Sequence, residues 1–315
     1  MLVIINRPVT TQAQPLVPFT TEGKMMINTP FSRQTAFFKW YYDSTFYERA
    51  RLTKQFECLK LRYKSDTALV EAWLYKPVHT GKKQWPLIIY NRGGNGNYGN
   101  LEETSLVDFF KMAENGYIVL ATKTRFAGAN GKYDQHGGID VNDIVNLQYV
   151  YPQLPFVDTA NVFMYGFSRG GQNTYQASLR MRLNAMTVTA GTADWLSFIN
   201  DRNEFADGWS DRDSAMNYIG FRKAIPGWYT DSISLLKERS AVYWAEKINT
   251  PVLVLHSRGD TRVPCMHAIK MAAKLQEYKK EYALVIYDEP SHSLPFSQFD
   301  SYDRMFAWFS GHKKK

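Results

Sequence analysis

The sequence has little cysteine and no long apolar run. Its two cysteines, Cys58 and Cys265, lie too far apart in the chain to indicate a zinc site or a disulfide framework. No apolar segment approaches the roughly 20 residues that a membrane-spanning helix needs. The apolar start at residues 1–5 ends too early for a secretory signal peptide. We therefore expect a cytoplasmic protein with reduced thiols and without a membrane partner.

The sequence also lacks a strong concentration of charge of one sign. Lysine and arginine outnumber aspartate and glutamate by 38 to 30, which gives a net charge of +8, but the basic residues are scattered. A nucleic-acid-binding protein usually carries a basic stripe or patch, so we expect no nucleic acid partner. The acidic and histidine residues show no ligand-like spacing, and we expect no metal or organic cofactor.

Short apolar runs and amphipathic segments alternate from about residue 54 onward. Continuous apolar runs are typical of parallel strands that are buried on both faces, and the segments between them carry apolar residues at helical spacing. Strands are predicted at 55–63, 68–75, 86–90, 117–121, 161–165, 186–190, 251–256 and 282–287, and helices at 101–114, 141–151, 171–183, 267–278 and after 298. The first two strands form a hairpin, and the whole pattern predicts an α/β fold with a mostly parallel central sheet flanked by helices.

Two segments lie outside this alternation. Residues 192–248 are rich in aromatic side chains and contain no clear strand. We predict that they form a helical cap over the carboxyl edge of the sheet, where open α/β folds bind ligands. Residues 1–53 are predicted to form an aromatic-rich arm packed on the main domain, residues 54–315, with a partner-binding segment as the alternative.

A serine between two glycines follows the strand at 161–165 directly. Gly166-Phe167-Ser168-Arg169-Gly170 has the Gly-x-Ser-x-Gly pattern of a nucleophile elbow, the sharp strand-to-helix turn of α/β-hydrolases. Small residues are needed on both sides of the serine because the turn presses them against the strand and the helix. The pattern predicts an α/β-hydrolase fold with Ser168 as the nucleophile.

A catalytic serine needs a histidine base and an acid that orients the imidazole. In α/β-hydrolases the acid and then the histidine follow the nucleophile in the chain. The loop after 251–256 contains Asp260, and the loop after 282–287 contains Asp288, Glu289 and His292. We predict that Asp260 is the acid and His292 the base, with Asp288 and Glu289 as alternative acids.

The remaining histidines are predicted to have structural roles. They are His79, His136, His256, His267 and His312. Of these, His136 lies in a glycine-rich loop at 128–138, where a place beside the site is the alternative.

These motifs resemble the catalytic domain of the prolyl oligopeptidase family of serine peptidases. The resemblance rests on residues 166–171, on residues 255–264 and on the late His292, and it covers residues 54–315. Arg92-Gly93-Gly94 after the third strand and residues 190–195 add to it. The resemblance implies hydrolysis of a peptide or aminoacyl amide.

The sequence departs from the family pattern in two places. Family peptidases usually carry an amino-terminal β-propeller, and residues 1–53 are too few for one. Relatives often have tyrosine or histidine where this chain has Arg92, so we assign the oxyanion hole to the backbone N–H groups of Arg169 and Gly94. The resemblance further implies that Arg262 hydrogen-bonds a substrate carbonyl, and we expect Arg92 and Trp195 to contact the substrate as well.

The prediction is therefore a serine hydrolase that cleaves short peptide or aminoacyl amide bonds through an acyl-enzyme on Ser168. A carboxylesterase acting on small esters is one alternative, and a non-catalytic hydrolase-fold binding module is another. The cap aromatics predict an apolar acyl pocket, whereas inward-pointing cap arginines would select an acidic group. These aromatics are Trp195, Phe198, Trp209, Phe221, Trp228 and Trp244, and the arginines are Arg202, Arg212, Arg222 and Arg239.

Overall fold

A single twisted sheet forms the centre of the computed structural model, which describes residues 16–81, 83–127, 131, 133–201 and 220–315. Within these residues the strands are β1 (Phe19–Met25), β2 (Phe56–Ser65), β3 (Ala68–Pro77), β4 (Trp85–Asn91), β5 (Ile118–Thr122), β6 (Val157–Phe167), β7 (Ala185–Thr189), β8 (Val252–Ser257) and β9 (Tyr282–Tyr287). Their order across the sheet is β1-β2-β3-β5-β4-β6-β7-β8-β9. The first three strands and β5 pair antiparallel, and every pairing from β5 to β9 is parallel.

Helices cover both faces of this sheet. In the part of the chain that the structure describes they are α1 (Ala36–Tyr41), α2 (Ser44–Leu52), α3 (Ser105–Glu114), α4 (Val141–Asn146), α5 (Arg169–Ser178), α6 (Trp195–Asp201), α7 (Phe221–Ala224), α8 (Trp228–Glu238), α9 (Met266–Glu277) and α10 (Gln298–Gly311). The predicted α/β-hydrolase fold with a mostly parallel sheet is confirmed.

The two faces of the sheet bury separate apolar clusters, because successive side chains of a strand point to opposite sides. In β4, Leu87 and Ile89 face a cluster that includes α4, α5 and α9. Ile88 between them faces a second cluster, which includes α2, α3 and α10. The central strands are therefore buried on both faces, which explains their continuous apolar sequence.

The sheet begins earlier in the chain than the sequence predicts. β1 pairs antiparallel with β2 and lies within residues 1–53, where no strand is predicted. It is an edge strand whose middle five residues are all exposed, so it lacks the alternation of apolar and polar residues that marks a half-buried strand. The helices that follow it pack on α3, with the Phe46 and Phe110 ring centroids 5.5 Å apart.

The helical segments between β7 and β8 form a small apolar cluster of their own. It contains Trp195, Phe198, Phe221 and Leu236 from α6, α7 and α8. Trp244, from the end of the same insertion, is buried instead in the cluster under α4, α5 and α9. Trp209, Arg202 and Arg212 lie outside the described residues.

Candidate active site

The turn from β6 into α5 holds Ser168 in a strained conformation. Its backbone has φ 55° and ψ −123°, a region that non-glycine residues rarely adopt. A Cβ atom on Gly166 would overlap the Gly170 carbonyl oxygen, and one on Gly170 would overlap the Asn91 carbonyl oxygen at the end of β4. Both positions therefore require glycine, as the elbow pattern predicts.

The structure brings Ser168, His292 and Asp260 together in one hydrogen-bonded chain. Ser168 Oγ lies 2.9 Å from His292 Nε2. His292 Nδ1 lies 2.6 Å from Asp260 Oδ2. The serine stands at the carboxyl end of β6, and the acid and the base lie in the loops that follow β8 and β9. Three separate strands thus deliver the three side chains to one edge of the sheet.

Asp260 is held by more than its bond to His292. Its Oδ1 accepts the backbone N–H groups of Arg262 at 2.8 Å and Val263 at 2.9 Å. His256 Nε2 lies 3.2 Å from Oδ2. Burial opposes ionisation of this carboxyl, but hydrogen bonds from His256, His292 and the backbone hold its pKa well below the usual range. Asp260 is therefore a carboxylate at neutral pH.

The two alternative acids make other contacts. Asp288 is exposed and forms a 2.5 Å ion pair with Arg258. Glu289 is buried, and its carboxylate accepts the backbone N–H groups of Phe296 and Ser297 at 3.3 and 3.2 Å. Both carboxylates thus support the loops around His292, and the geometry favours Asp260 as its partner.

The glycine loop after β4 approaches the serine closely. A Cβ atom on Gly93 would lie 3.3 Å from Ser168 Cβ, and Gly94 has a positive φ of 68°. Arg169 is the first residue of α5, so its N–H is one of the amides that the helix itself leaves without a partner. Both predicted oxyanion donors therefore belong to segments that meet at Ser168.

Arg92 has a different environment from the one expected of a substrate contact. Its guanidinium is buried and donates to the carbonyl oxygens of Gly93, Gly96 and Tyr98 at 3.1, 3.0 and 3.1 Å. The prediction of a substrate-binding Arg92 needs correction, because these three hydrogen bonds direct the side chain toward the carbonyl oxygens of its own loop.

Arg169 carries the largest group of contacts that sequence reasoning missed. Its guanidinium forms a bidentate pair with Asp134, at 2.6 and 2.7 Å, and a 2.6 Å bond to Asp140. Both carboxylates are fully buried. Burial is the largest single influence on each carboxyl and acts to raise its pKa. At Asp134 the Arg169 charge, other nearby positive charges and the Gly96 N–H together outweigh burial and lower the pKa, whereas the pKa of Asp140 is raised. In the sequence, the glycine-rich loop at 128–138, which contains Asp134, is the feature that could have indicated these contacts.

The two other predicted substrate contacts also have protein partners. Arg262 is exposed, and its Nη1 donates to the Tyr98 hydroxyl at 2.6 Å, which links the acid loop to the glycine loop. Trp195 is 6% exposed, and it packs against Phe198 and Phe221 with ring centroids about 5 Å apart. Arg262 thus lies at the surface, whereas Trp195 belongs to the core of the cap and is corrected as a substrate contact.

Two of the remaining histidines, His267 and His136, are buried among protein groups. His267 is buried, and its Nδ1 accepts the N–H groups of Ala193 and Asp194. Burial lowers the pKa of His267 to about 4 and that of His136 to about 3. The His136 ring packs edge-on against Phe221, with centroids 4.2 Å apart. Both imidazoles are neutral at pH 7.

Other kinds of site are not evident in the described part of the chain. No group of three or more histidine, cysteine, aspartate or glutamate side chains there is arranged to hold a metal ion. None of the helices described is both long enough and apolar enough to cross a membrane.

The fold and the elbow define an α/β-hydrolase with a serine at the nucleophile position. Residues 104–315, more than half of the chain, match the model of the prolyl oligopeptidase family. The chain therefore belongs to the prolyl oligopeptidase family.

Individual relatives agree with this membership. The chain is 25% identical to the uncharacterized peptidase YuxL of Bacillus subtilis, over 78% of this chain and 38% of the relative. It is 24% identical to the uncharacterized peptidase YtmA of the same organism, over 74% of this chain and 85% of the relative. The uncomplexed acylaminoacyl peptidase of Pyrococcus horikoshii has the same fold, with a TM-score of 0.66 and 22% identity over 84% of this chain and 43% of that chain. The chain thus spans less than half of YuxL and of the archaeal peptidase.

Proposed function

We propose that this chain is a serine peptidase that cleaves short peptide or aminoacyl amide bonds through an acyl-enzyme on Ser168. The observation that carries the proposal is the hydrogen-bonded chain from Ser168 Oγ through His292 to Asp260, with distances of 2.9 and 2.6 Å. The same three residue types in the same order of contact activate serine in unrelated hydrolases. Membership of the prolyl oligopeptidase family supports a peptide bond as the target.

In the acylation step, Ser168 Oγ attacks the scissile carbonyl carbon and its proton moves to His292 Nε2. The anionic Asp260 keeps the other imidazole proton on Nδ1 and stabilises the imidazolium. The tetrahedral intermediate then collapses as His292 returns the proton to the leaving nitrogen and the C–N bond breaks. The products of this step are a free amine and an ester on Ser168.

In the deacylation step, water replaces the amine. His292 removes a proton from that water, whose oxygen attacks the ester carbonyl carbon. Collapse of the second tetrahedral intermediate returns the proton to Ser168 Oγ and releases a carboxylic acid. The enzyme is regenerated without any redox change, so no further reactant is required.

The negative charge on the carbonyl oxygen needs two hydrogen-bond donors. We assign these to the backbone N–H groups of Arg169 and Gly94. Arg169 begins α5, where the amide dipoles of the helix add a partial positive charge. Gly94 follows Gly93, whose close approach to Ser168 brings the loop within reach of the same oxygen.

The names of several relatives support amide substrates. YuxL and YtmA are described as peptidases, and a rice relative that is 24% identical over 57% of this chain is an acylamino-acid-releasing enzyme. A short peptide or aminoacyl amide is therefore the substrate class that we propose. Both cysteines are free thiols, which is in keeping with the cytoplasmic location predicted from the sequence.

A labelling and turnover experiment tests the proposal. The purified chain is treated with a fluorophosphonate probe, and turnover is measured on an amide and an ester that share one acyl group. Wild type and Ser178→Ala are expected to react with the probe and cleave the amide, and Ser168→Ala to do neither. Ser178 is a matched control because its hydroxyl lies in the same helix and only donates to the Tyr175 carbonyl.

Two other outcomes would favour the alternatives. Labelling with ester turnover and without amide turnover would identify a carboxylesterase acting on small esters. Absence of both labelling and turnover in the folded wild type would identify a non-catalytic binding module and overturn the proposal.

A further inference from the structure

Two buried guanidinium groups and one buried carboxylate surround the glycine loop that follows β4. Arg92, Arg169 and Asp134 are each at least 94% buried. Removing such charges from water is costly, and replacement by apolar side chains often stabilises a protein. A cluster of this kind therefore needs a reason beyond stability, and its contacts indicate one.

The contacts hold the two peptide groups on either side of Gly94. Arg92 Nη1 donates to the Gly93 carbonyl oxygen at 3.1 Å, and Arg169 Nη1 donates to the Gly94 carbonyl oxygen at 3.1 Å. The Gly93 carbonyl and the Gly94 N–H belong to one trans peptide group and point in opposite directions. By holding the carbonyl, Arg92 therefore fixes the direction of the N–H that we assign to the oxyanion hole.

Asp134 connects this loop to the nucleophile elbow. Its Oδ2 accepts the Gly96 N–H at 2.9 Å and also receives Arg169 Nη1 at 2.6 Å. Its Oδ1 receives Arg169 Nη2 at 2.7 Å. One carboxylate thus joins the glycine loop to the residue that directly follows Ser168, and that residue carries the second oxyanion donor.

We propose that Arg92 and Asp134 are positioning residues that set the distance and direction between the two backbone donors of the oxyanion hole. Neither side chain needs to touch the substrate. This inference rests on the proposed function, because the hole matters only if an oxyanion forms at Ser168. Oxyanion donors act within about 2.7–3.1 Å of the developing charge, and a displacement of about 1 Å costs about 100-fold in rate. Loss of either positioning residue should therefore weaken stabilisation of the transition state.

The experiment compares Asp134→Asn with Asp143→Asn. Asp143 is a matched control because it is also fully buried and also pairs with an arginine, Arg125, at 2.7 Å. Its side chain accepts from Arg125, and its backbone carbonyl accepts from the hydroxyl of Tyr63 in β2. Each variant is examined by thermal unfolding, by kcat and KM on a peptide amide, and by inhibitor affinity.

Two inhibitors with the same peptide part separate positioning from folding. A peptide trifluoromethyl ketone forms a tetrahedral adduct on serine and places an oxyanion in the hole, whereas the corresponding alcohol binds without one. For Asp134→Asn we expect kcat and the affinity for the ketone each to fall about 100-fold. KM and the affinity for the alcohol should stay within about threefold. For Asp143→Asn we expect a lower melting temperature with both affinities unchanged.

A second variant keeps the inference testable if Asp134→Asn does not fold. Arg92→Lys retains the charge but has a single nitrogen in place of the planar fork that reaches three carbonyl oxygens, and we expect the same selective loss of kcat and ketone affinity. If the folded variants lose stability but keep the wild-type ratio of ketone to alcohol affinity, the inference is overturned. Failure of the proposed function is a separate result, because it is read from wild-type turnover and its loss in Ser168→Ala.

Discussion

Replacement of Asp260 by asparagine tests the proposed acid with almost no change in volume. Asp260 Oδ1 accepts the N–H groups of Arg262 and Val263 at 2.8 and 2.9 Å, and Oδ2 accepts the Nδ1–H of His292 at 2.6 Å. Asparagine has only one acceptor oxygen in its side chain. If that oxygen stays with the two backbone donors, the amide NH₂ faces His292 Nδ1, which must then become an acceptor.

The altered tautomer should stop the proton transfer. The imidazole proton would lie on Nε2, which faces Ser168 Oγ at 2.9 Å, so His292 could not accept the serine proton. We expect kcat for Asp260→Asn to fall about 10³- to 10⁴-fold, or roughly 4–5.5 kcal/mol of transition-state stabilisation. The measurement is steady-state turnover of a peptide amide, with thermal unfolding to establish that the variant folds.

Asp288→Asn serves as the control for this prediction. Asp288 is an exposed acid of the neighbouring loop and pairs with Arg258, so the variant should retain turnover within about twofold, as expected for a surface substitution. An inactive Asp288→Asn beside an active Asp260→Asn would refute both the choice of acid and the tautomer argument.

Three further predictions concern the surroundings of the triad. Arg262→Ala should raise KM for longer peptides more than for a small ester if the guanidinium binds a substrate carbonyl; Tyr98→Phe, which removes only the 2.6 Å partner, is the control, and equal effects on both substrates would favour a loop-shaping role. Burial lowers the pKa of His267 from 6.5 in the unfolded chain to about 4 in the folded protein. Between pH 6.5 and pH 4 the unfolded chain therefore binds the proton more tightly, and the folded protein loses stability as the pH falls through this range. The loss should reach about 3 kcal/mol near pH 4, and urea unfolding of His267→Gln should show a correspondingly weaker pH dependence; an unchanged dependence would contradict the assignment. The guanidinium of Arg239 donates to the backbone carbonyls of Gln135 and Leu235, so we do not expect this cap arginine to select an acidic acyl group. Phenylalanyl substrates should therefore exceed glutamyl ones in kcat/KM by about 10-fold or more. A preference for glutamyl substrates would overturn the predicted apolar pocket.

The sequence predicts the parallel part of the sheet well because burial on both faces leaves a local signal. The predicted strand 251–256 differs from β8 by one residue at each end, and all six residues of β8 are buried. β1 was missed because an exposed edge strand has no such constraint on its composition. The predicted helix 141–151 also continues beyond α4 only as 3₁₀ turns, at Leu147–Tyr149 and Tyr151–Gln153. Its apolar spacing does not distinguish the two helix types over so few residues.

The candidate triad was predictable because chain order and a strained turn restrict the choice of residues. Ser168 follows from the elbow pattern, and the order of α/β-hydrolases then leaves two short loops for Asp260 and His292. The cap offers no such restriction. Trp195 and Trp244 belong to one insertion of similar composition throughout, yet they are buried in different clusters. Which cluster receives each ring depends on how the helices meet, and composition does not specify that.

Arg92 shows how a correct observation about a motif can lead to the wrong partner. Its place beside two glycines at the carboxyl end of β4 correctly indicates that its loop approaches Ser168. The error concerns direction: the loop returns on itself through the positive φ of Gly94, Gly96 and Gly99, which brings three carbonyl oxygens to the guanidinium from within the same segment. Carbonyl oxygens that are withdrawn from water need donors, and an arginine with five N–H groups satisfies several of them at once. Contacts with these backbone carbonyls, rather than contact with a substrate, therefore account for the direction in which the Arg92 side chain points.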